Sequence, residues 1–90
     1  MIVNVNVSWV KLNESELIIE NSVSKTCVEL DFVGIQIWET LLATKSLQET
    51  IDTLCEKYSC SDARVIKKDV ISVFNTLVEN DMCSAEANHE

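Results

Sequence analysis

The residues of this 90-residue chain that could do chemistry are few in kind and poorly grouped. His89 is the only histidine and stands beside the last residue of the sequence, so no Ser-His-Asp or Cys-His constellation can be held rigid around it. The cysteines Cys27, Cys55, Cys60 and Cys83 include no C-x-x-C pair, the spacing that structural zinc sites use. They are expected to be reduced, and two or three of them to be small buried hydrophobes. Cys27 lies two residues from Lys25, whose charge could lower its pKa, although a packed, inert thiol is the preferred reading. Carboxylates are plentiful, with 15 Asp and Glu, but scattered acids usually form a solvated surface. Neither catalysis nor a cofactor nor a metal is expected, which turns attention from reaction to binding.

Net charge constrains what could be bound. A formal charge of −8 opposes sequence-independent attraction to phosphate backbones and to anionic membrane surfaces, both of which need clustered Lys and Arg. The N-terminal run has no basic flank or cleavage site, and no apolar run approaches bilayer length, so a cytoplasmic protein is expected. With 47% hydrophobic residues, no proline and a single glycine, the chain should form one ordered domain over residues 1–83, followed by a polar tail over 84–90.

The elements that would position a binding surface follow from periodicity. Val3, Val5, Val7 and Trp9 alternate with polar residues as in a half-buried strand. Residues 11–16 read as a turn, Leu17–Glu20 as a second strand and Thr26–Leu30 as a third, so the first third of the chain is an antiparallel meander. Asp31 then takes the N-cap position of a helix whose apolar face is Ile35, Trp38, Leu41 and Leu42. Gly34, early in that helix, suggests close approach of another backbone, since glycine costs about 1 kcal/mol there against alanine. Ser46-Leu47-Gln48-Glu49 is a capping box opening a second helix with the stripe Leu47, Ile51, Leu54, Cys55 and Tyr58. Ser61 or Asp62 caps a third helix from about Ala63 to Glu79.

That third helix carries two apolar stripes. Ile66, Val70, Val73 and Leu77 form one, and Ile71, Phe74 and Val78 the other, with Lys67 between them and Lys68 at the margin. The second stripe either widens the core contact or lines a groove. Three strands followed by three helices make an α+β domain with a winged-helix-like layout, and its open sheet has edges that must be covered, charged or used. Used edges bind extended peptides by adding a strand.

The run Leu30-Asp31, Gly34, Ile37-Trp38 and Leu41-Leu42 resembles the signature of the PqqD family. The likeness continues through Ser46-Leu47-Gln48-Glu49, Leu54, Glu56-Lys57-Tyr58, Asp69-Val70, Phe74, Leu77 and Asn80-Asp81-Met82, and spans Thr26 to Cys83. Asp31 stands where the family more often has Asn, and both cap helices. The resemblance implies a non-catalytic recognition element for ribosomally made, post-translationally modified peptides. Such an element holds the leader segment of a precursor and presents its core to a modifying enzyme such as a leader peptidase, cyclase or radical enzyme. Both the protein of pyrroloquinoline quinone biosynthesis and the free recognition proteins of lasso-peptide clusters fit this description. Carried onto this sequence, the resemblance implies strand addition beside Lys25, Thr26, Cys27, Val28, Glu29 and Leu30, with Arg64, Lys67, Lys68, Ile71 and Phe74 facing the leader across the cleft.

Two other readings compete. A winged-helix transcription factor would use Arg64, Lys67 and Lys68 on DNA, but Asp62, Asp69, Glu79 and Asp81 would repel the phosphates. An open sheet edge can also pair with its own copy to give a homodimer.

Overall fold

The computed structural model describes residues 1–58 and 62–84. In chain order the elements are β1 (Ile2–Val3), β2 (Val7–Asn13), β3 (Glu16–Asn21), β4 (Thr26–Leu30), α1 (Phe32–Thr44), α2 (Leu47–Lys57), α3 (Ala63–Glu79) and β5 (Cys83–Ser84). An antiparallel sheet of order β2-β3-β4 packs against α1; α2 and α3 pack on α1 and on each other, and β1 pairs separately with β5. The expected α+β layout is therefore present. Cys60 and His89 lie outside the described residues.

The N-terminal alternation does not form one strand. Asn4 breaks it: its side-chain oxygen accepts the Asn6 N–H at 2.9 Å and its carbonyl accepts the Val7 N–H at 3.1 Å, an Asx-type turn that leaves Val5 94% exposed. Ile2 and Val3 instead pair with Ser84 and Cys83, so Ser84, read from sequence as the start of a tail, belongs to a strand. The expected turn over residues 11–16 shrinks to Glu14-Ser15, because Asn13 accepts the Ser15 N–H through its side chain at 2.8 Å and lets β2 run on. A bulge between Lys11 and Asn13 absorbs the register shift.

α1 is the centre of the core. Ile35, Trp38 and Leu41 are fully buried as expected, but Ile37 is buried too, because the helix is covered by the sheet on one side and by α2 and α3 on the other. Trp9 of β2 meets Trp38 edge to face at 5.2 Å, and Lys11 reaches Glu39 at 3.3 Å, so β2 is tied to α1 along the inner face of the sheet. The Asp31 carboxylate accepts the Gly34 N–H at 2.8 Å. A Cβ on Gly34 would meet the Leu30 side chain at 3.1 Å, so this glycine makes room for the last residue of β4 and not for another backbone.

The other helices take the caps read from sequence, with Ser46 accepting from the Glu49 N–H and Asp62 from the Arg64 N–H, but the capping box is not reciprocal, because the Ser46 N–H donates to the Thr44 hydroxyl at 3.2 Å. Tyr58, expected in the α2 stripe, is instead exposed at the helix end with its hydroxyl on Gln36, and the buried Thr50 exchanges a 2.8 Å hydrogen bond with Thr44. Of the cysteines, Cys83 is buried and Cys55 half-buried, but Cys27 is exposed, contrary to the packed role expected of it.

Burial pushes the Cys83 thiol up to about 11. Because this raises an acid's pKa in the folded state, the stability it contributes is fully present below the ordinary value of 9.0 and is lost as pH climbs through about 11. Urea unfolding should therefore show a loss of stability across that window that Cys83→Ala flattens. Iodoacetamide at pH 8, followed by peptide mapping, should label Cys27 and spare Cys83.

Candidate functional site

The site begins at the hairpin joining β3 to β4. Asn21, only 3% exposed, organises it with one side chain: its amide oxygen accepts the N–H groups of Val23 at 2.9 Å and Ser24 at 3.0 Å, while its amide nitrogen donates to the Asp81 carbonyl at 2.7 Å. Next to it the Thr26 hydroxyl donates to the Asn80 carbonyl at 2.6 Å. Those two carbonyls are presented by the way α3 ends. The Met82 N–H returns to the Leu77 carbonyl and the Asp81 N–H to Val78, with Asp81 at φ 62, which is the Schellman closure. The start of β4 is thus pinned to the end of α3.

From this latch β4 runs back along α3. The four residue steps of strand from Thr26 to Leu30 span about 13 Å, and the eight steps from Asn80 back to Ser72 along α3 span about 12 Å, so the two elements keep pace. Between them opens a cleft of about 500 Å³. Its walls are Val28, Glu29 and Leu30 of β4 and Ser72, Val73 and Thr76 of α3. Asp31 and Gly34 at the α1 N-terminus, Leu17 and Ile18 of β3, and Leu12, Ser15 and Glu16 around the β2-β3 turn complete the far end.

β4 is an edge strand, and parity decides which of its residues offer backbone to the cleft. The Ser22 N–H donates to Asn6, so the even residues of β3 turn toward β2. Asn21, Ile19 and Leu17 are left to bond with their partners Thr26, Val28 and Leu30. Cys27 and Glu29 therefore direct their N–H and C=O groups outward, unpaired, where an added strand would bind. Their side chains are exposed, whereas Val28 and Leu30 are buried at 6% and 8% exposure.

The structure gathers some of the anticipated site residues and separates others. Thr26 to Leu30 form the open edge, and Lys25 precedes it in a left-handed turn at φ 63. Of the anticipated α3 residues, none lines the cleft. Lys67, Ile71 and Phe74 lie ~150° or more around the helix from the mean direction of Ser72, Val73 and Thr76. Phe74 is 8% exposed and belongs to the core, Ile71 is 37% exposed, and Lys67 and Lys68 are exposed. Arg64 is exposed and occupied by Asp62 at 3.1 Å, and its guanidinium holds the Asp62 carboxyl below the usual carboxylate range.

Two turns of helix carried apolar residues on both flanks, and sequence alone did not say which flank met the sheet. Ser72 and Thr76, which line the cleft, gave no signal because small polar side chains on an exposed helix face look like ordinary surface. A second, apolar groove of about 210 Å³ lies between the α1 N-terminus, the end of α2 and the first half of α3, lined by residues including Phe32, Tyr58 and Ile66. Among the described residues no three His, Cys, Asp or Glu side chains group as a metal site, and no helix is long and apolar enough to cross a membrane.

Comparison with known proteins adds to this geometry. The family described as coenzyme PQQ synthesis protein D (PqqD) matches residues 8–82. A solved structure, "TbiB1 in Complex with the TbiA(beta) Leader Peptide", superposes with a TM-score of 0.81 at 24% identity, covering 98% of this chain and 100% of the other. None of the curated proteins matches.

Asn21→Ala removes three hydrogen bonds from a buried site and leaves the Asp81 carbonyl without its side-chain donor. It should cost about 2–4 kcal/mol in urea unfolding. Hydrogen exchange should show the loss of protection concentrated at residues 22–27 and 80–82.

Proposed function

Since the chain belongs to the PqqD family over residues 8–82 and its β4 edge stands open beside α3, we propose that it is a non-catalytic recognition element for the leader of a ribosomal precursor peptide. The observation that carries the reading is the pair of outward backbone groups at Cys27 and Glu29 facing a cleft with an apolar floor. An extended leader adds antiparallel to β4 and gains backbone hydrogen bonds there. Its alternate side chains drop between β4 and α3 toward Val28, Leu30 and Val73. TbiB1, whose fold this chain shares, was solved in complex with a leader peptide, which supports a leader as the ligand.

Binding of this kind presents the precursor's core to a partner enzyme, a leader peptidase, cyclase or radical enzyme, in the cytoplasm where the precursor is made. The position of the cleft supports α3 contacts at Ser72, Val73 and Thr76 in place of Arg64, Lys67, Lys68, Ile71 and Phe74. It also weakens the DNA-binding alternative, because Arg64 is paired with Asp62 and only Lys67 and Lys68 are left on the exposed surface of α3, beside Asp69.

Fluorescence anisotropy with the labelled leader of the precursor encoded beside this chain's gene should give saturable binding in the micromolar range or tighter. Thr76→Trp, at an exposed position, should fill the cleft and weaken that binding at least tenfold without changing the thermal melt. Lys67→Glu should change it less than twofold. A wild-type protein that binds no neighbouring leader, or one whose affinity follows Lys67 and ignores Thr76, contradicts the reading.

A further inference from the structure

The charge of the cleft is one-sided. Glu16, Glu29 and Asp31 line it, and among the described residues no Lys or Arg does. Two of these carboxylates are engaged: Asp31 caps α1 through the Gly34 N–H at 2.8 Å, and Glu16 accepts from the Asn13 amide at 2.6 Å. Glu29 is different. No hydrogen bond or ion pair occupies its side chain among the described residues, it is exposed, and it sits on β4 at one of the two positions whose backbone faces an incoming strand.

Strand geometry fixes what lies across from it. In an antiparallel ladder a residue and its directly opposed partner project side chains from the same face, with Cβ atoms about 4.5–5.5 Å apart, and opposite charges stabilise such a pair while like charges destabilise it. The partner of Glu29 would thus emerge on the solvent face of the sheet, where Glu20 adds a second negative charge beside Cys27. The residues flanking that partner would turn inward, toward Val28, Leu30 and Val73, where the floor is apolar.

We propose that the peptide taken by β4 carries a Lys or Arg opposite Glu29, flanked on both sides by apolar residues that enter the cleft, so that Glu29 sets the charge specificity of the site. This rests on the leader-binding reading above and narrows its substrate class: the recognised segment alternates apolar and basic, and an acidic residue at that position is rejected.

The probe is the fluorescein-labelled leader of the neighbouring precursor, together with versions in which each basic residue is changed singly to Glu. Glu29 is exposed, so Glu29→Lys and Glu29→Gln should fold with unchanged melts. At low salt Glu29→Lys should weaken binding of the native leader at least tenfold and Glu29→Gln two- to fivefold. Glu56→Lys on α2, the same change in net charge away from the cleft, should alter it less than twofold. One leader variant should bind Glu29→Lys at least fivefold better than the native leader does, and the discrimination should shrink in 0.5 M salt, where the Debye length falls to only a few ångströms. Equal affinity of wild type and Glu29→Lys, equal losses for Glu29→Lys and Glu56→Lys, or the absence of a rescuing leader variant overturns this inference while leaving leader binding intact. Failure of the native leader to bind wild-type protein overturns the leader-binding reading itself, and this inference with it.

Discussion

The hydrogen bonds that Asn21 and Thr26 make to the Asp81 and Asn80 carbonyls hold the functional architecture together. They join the sheet to the end of the last helix at one point, and everything beyond diverges from there. Asn21 is nearly fully buried, so each of its polar atoms must be satisfied or carry a desolvation cost of about 1–3 kcal/mol. That requirement makes the latch specific: the side chain must at once close the β3-β4 turn and find the carbonyl that the Schellman ending of α3 presents. With the end of α3 fixed there, the helix can lie beside β4 without pairing with it, which leaves a cleft and not a closed core.

α1 supplies the opposite constraint. Its apolar residues occupy more than one face, so the helix must be covered on both sides, by the sheet, where Trp9 meets Trp38, and by α2 and α3, where Ile37 shares a groove with Leu54, Ile66 and Val70. Fully burying each such side chain stabilises the domain by about 1.5–3 kcal/mol, far more than the exposed Lys11–Glu39 pair. Gly34 and Asp31 place this helix directly after β4, one by yielding space to Leu30 and the other by satisfying the first turn. Edge strand and core helix are in this way consecutive in the chain, and the edge cannot shift its register without disturbing the centre of the fold.

The cleft joins these two constraints to function. A three-stranded sheet leaves β2 and β4 as edges, but they are not equivalent. The inner face of β2 is tied to α1 through Trp9 and Lys11, whereas β4 faces a cavity whose other wall is a helix. Main-chain groups supply affinity on such an edge whatever the sequence of the guest, so selectivity must come from the side chains that flank it. Here those are an apolar floor and exposed carboxylates.

Much of this was legible in the sequence, and the part that was not has a physical reason. The strand period of Thr26–Leu30, the Asp31 and Ser46 caps, the limits of α3 and the burial of Ile35, Trp38 and Leu41 are local, because caps and periodicity are set by residues a few positions apart. The turn at Asn4 and the extension of β2 to Asn13 also rest on local side-chain bonds, but a valine alternation conceals the first and a polar run the second. Which flank of α3 meets the sheet is not local. The helix has apolar residues on both sides, and only the latch at its far end, formed between residues 60 positions apart, rotates Val73 and Thr76 toward β4 and turns Lys67 and Ile71 away. The sequence by itself determined the three helices, β3, β4 and the family they belong to; tertiary structure decided the β1-β5 pair, the wall of the cleft and the sign of its charge, because these depend on contacts that no short-range pattern encodes.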